Sequence, residues 1–334
     1  TAETAGKLSG FRLTEANLGV NADVNQQVLA HLTVSFNNAL IKHSAFLKAA
    51  LQAGLDHPKT ANTRVQVREA YFVYHDSPVY VKGGLFDLPV AASNEQSRLI
   101  KSFTHSFTRL NATALQLGFY NNMGFDGGLF LYNGYRDADT DDSKVAFGGV
   151  ANFHGVQQGA GYKLHIAAVS DSRASLATGL DPATTYPEYT SPSYDDNMLA
   201  STGLTAGDLG SSTSKAKVLY NADVAVNYDH FNAGVGYTHL ANVSTTAGTE
   251  WKLSLLKFDV GFSNKANNMP FRVFAGYELA NSKSATLFTV KHSLTVGANA
   301  DVTPHMNVGA QFVQDKATAD ANGKNNHYFM LGTK

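Results

Sequence analysis

The stretch from Lys217 to Asp229, Lys-Val-Leu-Tyr-Asn-Ala-Asp-Val-Ala-Val-Asn-Tyr-Asp, decides the fold. Val218, Tyr220, Ala222, Val224, Val226 and Tyr228 are apolar or aromatic. Lys217, Asn221, Asp223, Asn227 and Asp229 stand between them, and only Leu219 and Ala225 break the beat. Successive side chains of a strand point to opposite faces, so this segment has one apolar face and one ionic face. Lipocalins, sandwiches and jelly rolls also alternate, but they need a second apolar layer or a closed core of side chains. An inner face rich in Lys, Arg, Asp, Glu and Asn cannot form a dry core. The pattern therefore points to a transmembrane antiparallel β-barrel, with lipid outside and water inside.

Working outward from this segment, similar alternation recurs along the chain and predicts about sixteen strands. They cover 11–24, 27–38, 44–55, 63–74, 79–86, 104–120, 125–136, 144–155, 161–170, 215–229, 231–241, 250–264, 270–281, 285–300, 304–316 and 325 to the end. The 44–55 segment also reads as a short helix, because Leu47, Ala50, Leu51 and Gly54 fall at helical spacing. With the chain starting on the periplasmic side, short turns fall inside at 75–78, 121–123, 156–160, 229–230, 265–269 and 301–303. The two longest connections, 87–103 and 171–214, both fall outside, as in outer-membrane barrels. The second is rich in Ser, Thr, Asp, Gly and Pro, the composition of an exposed loop.

Composition narrows the function classes. The 334 residues read as one barrel domain over 1–334, with no plug-sized domain before the first strand. No apolar run approaches the ~18–20 residues of a transmembrane helix, and a mean hydropathy of -0.18 suits a barrel, in which only every second residue meets lipid. A net charge of -1 leaves no electrostatic footprint for nucleic acid. With no cysteine, thiolate chemistry and disulfides are excluded. The twelve histidines show no metal-binding spacing, and no nucleophile elbow or phosphate loop is present, so neither cofactor nor metal is expected. Outer-membrane lipid hydrolases use Ser, His and Asn. His105-Ser106 and His292-Ser293, however, are merely adjacent, and strand neighbours point to opposite faces. The protein is not expected to be an enzyme.

The predicted pore-lining residues are Arg64, Arg68, Lys82, Arg136, Lys163, Lys217, Asp223, Asp259, Arg272, Glu278 and Lys291, joined by Glu15, Asp23 and Lys257. Mixed signs imply a polar, hydrated interior. Arg64, Arg68 and Lys82 fall on neighbouring strands, where a cluster would attract anions. The 87–103 connection is the candidate constriction loop, with Asp87, Glu95, Arg98 and Lys101 as its charges. The 171–214 loop carries Tyr186, Tyr189, Tyr194, Asp195 and Asp196, aromatics beside acids that suit a ligand or simply a solvated loop. Asp137, Asp139, Asp141 and Asp142 alternate like a calcium loop but lack its glycine and closing glutamate, so a solvated loop is the better reading.

Two passages carry a family resemblance. The first is Arg68-Glu69-Ala70-Tyr71-Phe72-Val73 followed by Pro78-Val79-Tyr80-Val81-Lys82-Gly83-Gly84-Leu85-Phe86-Asp87-Leu88-Pro89. With Phe130-Leu131-Tyr132-Asn133-Gly134 and the segment from Ala233 to Asn242, it resembles the LbtU-type siderophore porins. The likeness is clearest over 68–241. It departs at Gly84, where that family has Lys, and at Val90, where its Phe-Gly follows Leu-Pro. The resemblance implies a Gram-negative outer-membrane barrel that takes up a ferric siderophore without a TonB-type plug. The alternatives are a general or anion-preferring diffusion porin, then a structural or adhesive barrel or a lipid hydrolase. The expected partners are membrane lipid, lipopolysaccharide and a small solute, and a monomer is favoured.

Overall fold

The computed structural model describes residues 15–38, 63–90, 104, 108, 110–121, 123–136, 143–171, 218–244, 250–266, 269–282, 290–303, 306–317 and 325–333. Fifteen strands form among them: β1 Glu15–Asp23, β2 Val28–Asn38, β3 Thr63–Asp76, β4 Val79–Asp87, β5 Asn111–Tyr120, β6 Phe125–Arg136, β7 Ser143–Gln157 and β8 Ala160–Val169. They continue with β9 Leu219–Tyr228, β10 Phe231–Ser244, β11 Glu250–Ala266, β12 Met269–Ser282, β13 Val290–Thr303, β14 Met306–Ala317 and β15 Asn325–Thr333. All lie in one sheet in chain order, and each is antiparallel to its neighbours.

One face of this sheet carries large apolar side chains that meet no protein. Leu129 is 73% exposed, Phe147 65%, Val260 57% and Val224 49%. Leaving a Val, Leu or Phe in water forgoes roughly 1.5–3 kcal/mol each, so a face built of them is a lipid face. The opposite, inner face packs against protein. Residues Gln116, Phe130, His165, Asp223, Lys257, Glu278 and Gln311 are buried there. The Lys217–Asp229 stretch behaves accordingly. Tyr220, Val224, Val226 and Tyr228 are exposed on the outer face, while Leu219, Asn221 and Asp223 are buried on the inner one.

Connections alternate in length. β3–β4, β7–β8, β9–β10 and β11–β12 join through two residues, at 77–78, 158–159, 229–230 and 267–268. The sheet twist favours turns with positive φ, and Gln158 (φ 51°) and Gly159 (φ 81°) supply both central residues of such a turn. Asn25 Oδ1 accepts from the backbone N–H of Gln27 and Val28 at 2.8 and 2.9 Å, and Asn121 Oδ1 does the same for Met123 and Phe125, both at 3.0 Å. The longer connections, including 88–110 and 170–218, all leave from the other end.

Three sequence expectations are corrected. The predicted 44–55 strand lies outside the described residues, and β2 pairs directly with β3, from Val28↔Tyr74 to Asn38↔Thr63, so no strand stands between them. The short Val24–Gln27 connection therefore sits at the same end as the other tight turns, and β1 runs in the opposite sense to that expected. The second correction concerns 104–120. Its strand begins only at Asn111, whereas Thr104 and Thr108 are helical, with the Thr108 hydroxyl donating to the Thr104 carbonyl at 2.7 Å. Thr is a good strand former, but Thr104 and Thr108 lie against the inner face of the sheet rather than beside another strand, and a helical turn satisfies its own backbone.

Third, the inner face is not ionic throughout. Phe86, Leu88, Val90, Leu110, Tyr132, Ala146, Val169, Leu219, Leu240, Leu253 and Leu255 form a buried apolar cluster towards the long-connection end. Leu88, Val90 and Leu110 belong to the β4–β5 connection, so this connection supplies the second apolar layer that a strand pattern alone does not reveal.

Gly84 shows how closely β4 fits its neighbour. Its φ is +130°, and a Cβ there would stand 2.3 Å from the Ala70 carbonyl oxygen and 2.7 Å from Tyr71 Cα. Both atoms are fixed, so Gly84→Ala is expected to destabilise the barrel by about 1–3 kcal/mol. Urea titration of the folded, heat-modifiable band on a gel measures this. An unshifted midpoint would contradict the strained placement.

Candidate functional site

The inner face is organised by register. Pairing runs Asp126↔Asn152, Asn152↔His165, His165↔Asp223, Asp223↔Gly236, Gly236↔Lys257, Lys257↔Glu278, Glu278↔Ser293 and Ser293↔Asp315, which lays one polar row across nine strands. Gly236 leaves room in it. A Cβ there would meet Asp223 Oδ1 at 2.2 Å, so the Asp223 side chain lies over that glycine.

The β4–β5 connection is pinned to this row at two places. At Val90, the carbonyl oxygen accepts from His165 Nε2 and from Asn221 Nδ2, each at 3.1 Å. Asn221 is held in turn: its Nδ2 also faces Asp223 Oδ2, and its Oδ1 accepts from Thr238 Oγ1 at 2.6 Å. His165 Nδ1 faces Asn152 Oδ1 at 2.7 Å, while Asn152 Nδ2 donates to Asp126 Oδ1 at 2.7 Å. Both ring nitrogens of His165 are thus engaged, one on Asn152 and one on Val90, which fixes the plane of the ring.

The second pin lies on β12. Glu278 Oε1 accepts from the Thr104 backbone N–H at 3.1 Å and from the Thr104 hydroxyl at 2.9 Å. Glu278 is 2% exposed and Thr104 5%, so these are buried, charge-assisted bonds linking residues 174 apart in the chain. Beside them, Lys257 Nζ lies 3.1 Å from Asp259 Oδ2. Compensated charges are the form in which ionic groups survive burial.

The sequence-predicted pore residues separate into groups. Lys82, Lys163, Asp223, Asp259, Arg272 and Glu278, with Lys257, share the inner-face parity of the buried row. Arg272 sits towards the short-turn end, donating from Nε to Ser263 Oγ at 3.0 Å. Arg64 (opposite Asn37), Arg136 (opposite Ser143) and Lys291 are placed by backbone only. Lys217, Glu95, Arg98, Lys101, Tyr186, Tyr189, Tyr194, Asp195, Asp196 and the aspartates of 137–142 lie outside the described residues. Asp87 is not a loop residue. It ends β4 and accepts from Asn111 Nδ2 at 2.8 Å.

The arrangement around Arg68 departs from the even spacing of Arg64 and Arg68. Pairing shifts between Thr33↔Glu69 and Val34↔Val67, so Arg68 is the extra residue of a bulge. Parity reverses there, and Glu69 and Tyr71 take the inner positions. Arg68 reaches Asp87 at 3.9 Å. Lys82 instead lies over two ring faces, 3.8 Å from the Tyr71 centroid and 4.1 Å from that of Phe86. The two cations answer to different partners.

Sequence reading missed Asn221, Thr104 and His165 because each is an ordinary strand or loop residue until the connection folds inward. It also missed a polar cluster on the outer face. Ser254 Oγ lies 2.9 Å from His239 Nδ1 and accepts from Tyr237 at 3.2 Å, and Tyr277 Oη lies 2.7 Å from His292 Nδ1. These residues come from four strands and share no spacing in the chain.

No protein-family model and no curated protein matches this sequence. Solved structures do match it in fold. The anion-selective porin of Comamonas acidovorans is 9% identical over 96% of this chain and 88% of its own, with a TM-score of 0.58. The outer membrane channel DcaP of Acinetobacter baumannii is 10% identical over 96% and 83%, with a TM-score of 0.56. A loop-deletion mutant of OmpT, an outer membrane protein of Vibrio cholerae, is 12% identical over 96% and 89%, with a TM-score of 0.54. The chain has the all-β antiparallel fold of Gram-negative outer-membrane barrels.

Proposed function

We propose that the protein is a passive channel of the Gram-negative outer membrane, passing small polar solutes through a barrel narrowed by its own β4–β5 connection. One observation carries this reading. Val90 and Thr104 of the β4–β5 connection are hydrogen-bonded to polar inner-face residues of β8, β9 and β12, on a sheet whose other face is largely apolar. A segment so placed takes up cross-section without sealing off a wall that still carries Lys163, Asp259 and Arg272. Catalysis is no part of the proposal.

The inner wall carries both signs of charge, which favours polar solutes generally over strict ion selectivity. A ferric siderophore as the solute is supported by the sequence resemblance alone. Planar-bilayer recording of the refolded chain tests both levels. Stepwise, ohmic conductance is expected. Block by a micromolar ferric siderophore would extend the reading to that cargo, indifference to it would leave a general diffusion channel, and absence of any conductance would refute the channel.

A further inference from the structure

The outer face is not uniformly apolar at its long-connection end. Over β6 and β7 that level is lined by Leu131, Val145 and Phe147, which are 53%, 69% and 65% exposed. Over β10–β13 it changes character. His239 faces Tyr220 and Ser254 in register, and Ser254 faces Asn281. Lys252 is exposed two residues from Ser254 on the same face of β11. The next cross-strand row holds Tyr237, Leu256, Leu279 and His292, with Tyr277 hydrogen-bonded to His292.

These groups form two polar corners separated by leucines. One corner is Lys252, Ser254, His239 and Tyr237; the other is Tyr277 and His292. The corners are centred two strands apart, roughly 10 Å at the usual strand spacing, with β11 and β12 adjacent between them. Below them, towards the tight turns, the face returns to Phe258, Val260, Val235 and Leu294, all exposed. The result is a set of hydrogen-bonding groups and one lysine above a strip of apolar wall. A core-facing network would bury such groups. Here Tyr237 and Tyr277 remain 45% and 37% exposed, and the cluster is continuous with the lipid-facing belt.

We infer that this corner of the barrel is a binding site for a phosphorylated lipid of the outer leaflet, its phosphate held by Lys252, His239 and Ser254 and its acyl chains lying along Phe258, Val260 and Leu294. The inference rests on the membrane-spanning reading of the fold but not on conduction. Lipid-borne phosphate is the occupant because the donors stand at the end of an acyl-length apolar strip, which a free anion does not use. Lys252 supplies the charge complement and the hydroxyl and imidazole groups supply directional bonds. The short-turn end of the same face carries Tyr228, Phe231 and Met269, all exposed.

The test uses the full chain folded in detergent and bilayer conductance of the same preparation, so that a failed channel and a failed lipid site are told apart. Native mass spectrometry would follow binding of bis-phosphorylated lipid A and of the same lipid after phosphatase treatment. The phosphorylated form is expected to bind at least about tenfold more tightly. That preference should disappear in the Lys252→Gln/His239→Gln/Ser254→Ala variant and persist in Tyr228→Phe, which alters the other end of the face. Equal binding of the two lipids, or an unchanged preference in the triple variant, would overturn the site. So would a dimer mass in place of lipid binding, because that outcome assigns the face to a second copy of the chain. If the triple variant fails to fold, Lys252→Gln alone, at an exposed position, carries the comparison.

Discussion

In the proposed channel, Glu278→Leu is expected to increase the time spent in a wide, high-conductance state by about a hundredfold. Two buried hydrogen bonds from Thr104 end on this carboxylate. Bonds to a charged acceptor contribute about 1.5–3 kcal/mol each, so losing both costs roughly 3 kcal/mol of the pinned state, and each 1.4 kcal/mol is a factor of ten. Glu278→Gln keeps an acceptor at the same place and should move the ratio far less. Thr104→Ala leaves the barrel wall untouched and removes one of the two bonds, for roughly a tenfold effect. Dwell-time histograms from single channels measure all three. Identical histograms for the wild type and Glu278→Leu would show that the β4–β5 connection does not set the width.

The second large effect is topological. A protease added to intact cells is expected to cut within 172–217 and to leave β1–β15 as protected fragments, close to an all-or-none result. The reason is the parity of the connections. The two-residue connections that follow β3, β7, β9 and β11 share one end, and outer-membrane barrels keep tight turns in the periplasm. The β8–β9 connection is then expected on the cell surface. Asp171, where it begins, is held to the wall by the Tyr132 hydroxyl, which donates to its carbonyl at 2.5 Å. Cleavage only after the outer membrane is permeabilised would invert the topology.

Much of the fold is legible in particular residues. The beat of Val224, Val226 and Tyr228 against Asp223 and Asn227 names a two-faced strand, and Asn25, Asn121 and Gln158-Gly159 mark turns through local hydrogen bonds and permitted φ values. Errors arose where a neighbour, not the local sequence, decides. Arg68 looked like a partner of Arg64 because parity is read along one strand, while the bulge that reverses it is a mismatch between two. Thr104 and Thr108 suit a strand by residue type, yet a strand exists only where another backbone offers hydrogen bonds, and both are helical.

The sequence by itself determined that this chain forms an antiparallel sheet with an apolar outer face and a polar inner one, because alternation is a property of consecutive residues. Only the tertiary structure decided that the β4–β5 connection folds against the inner wall. It also decided that Val90 meets His165 and Asn221, that Thr104 meets Glu278, and that His239, Ser254 and Lys252 gather on the lipid side. Those contacts depend on register and on closure of long loops. The free energy that selects them comes from pairs of residues far apart in the chain, which no local pattern encodes.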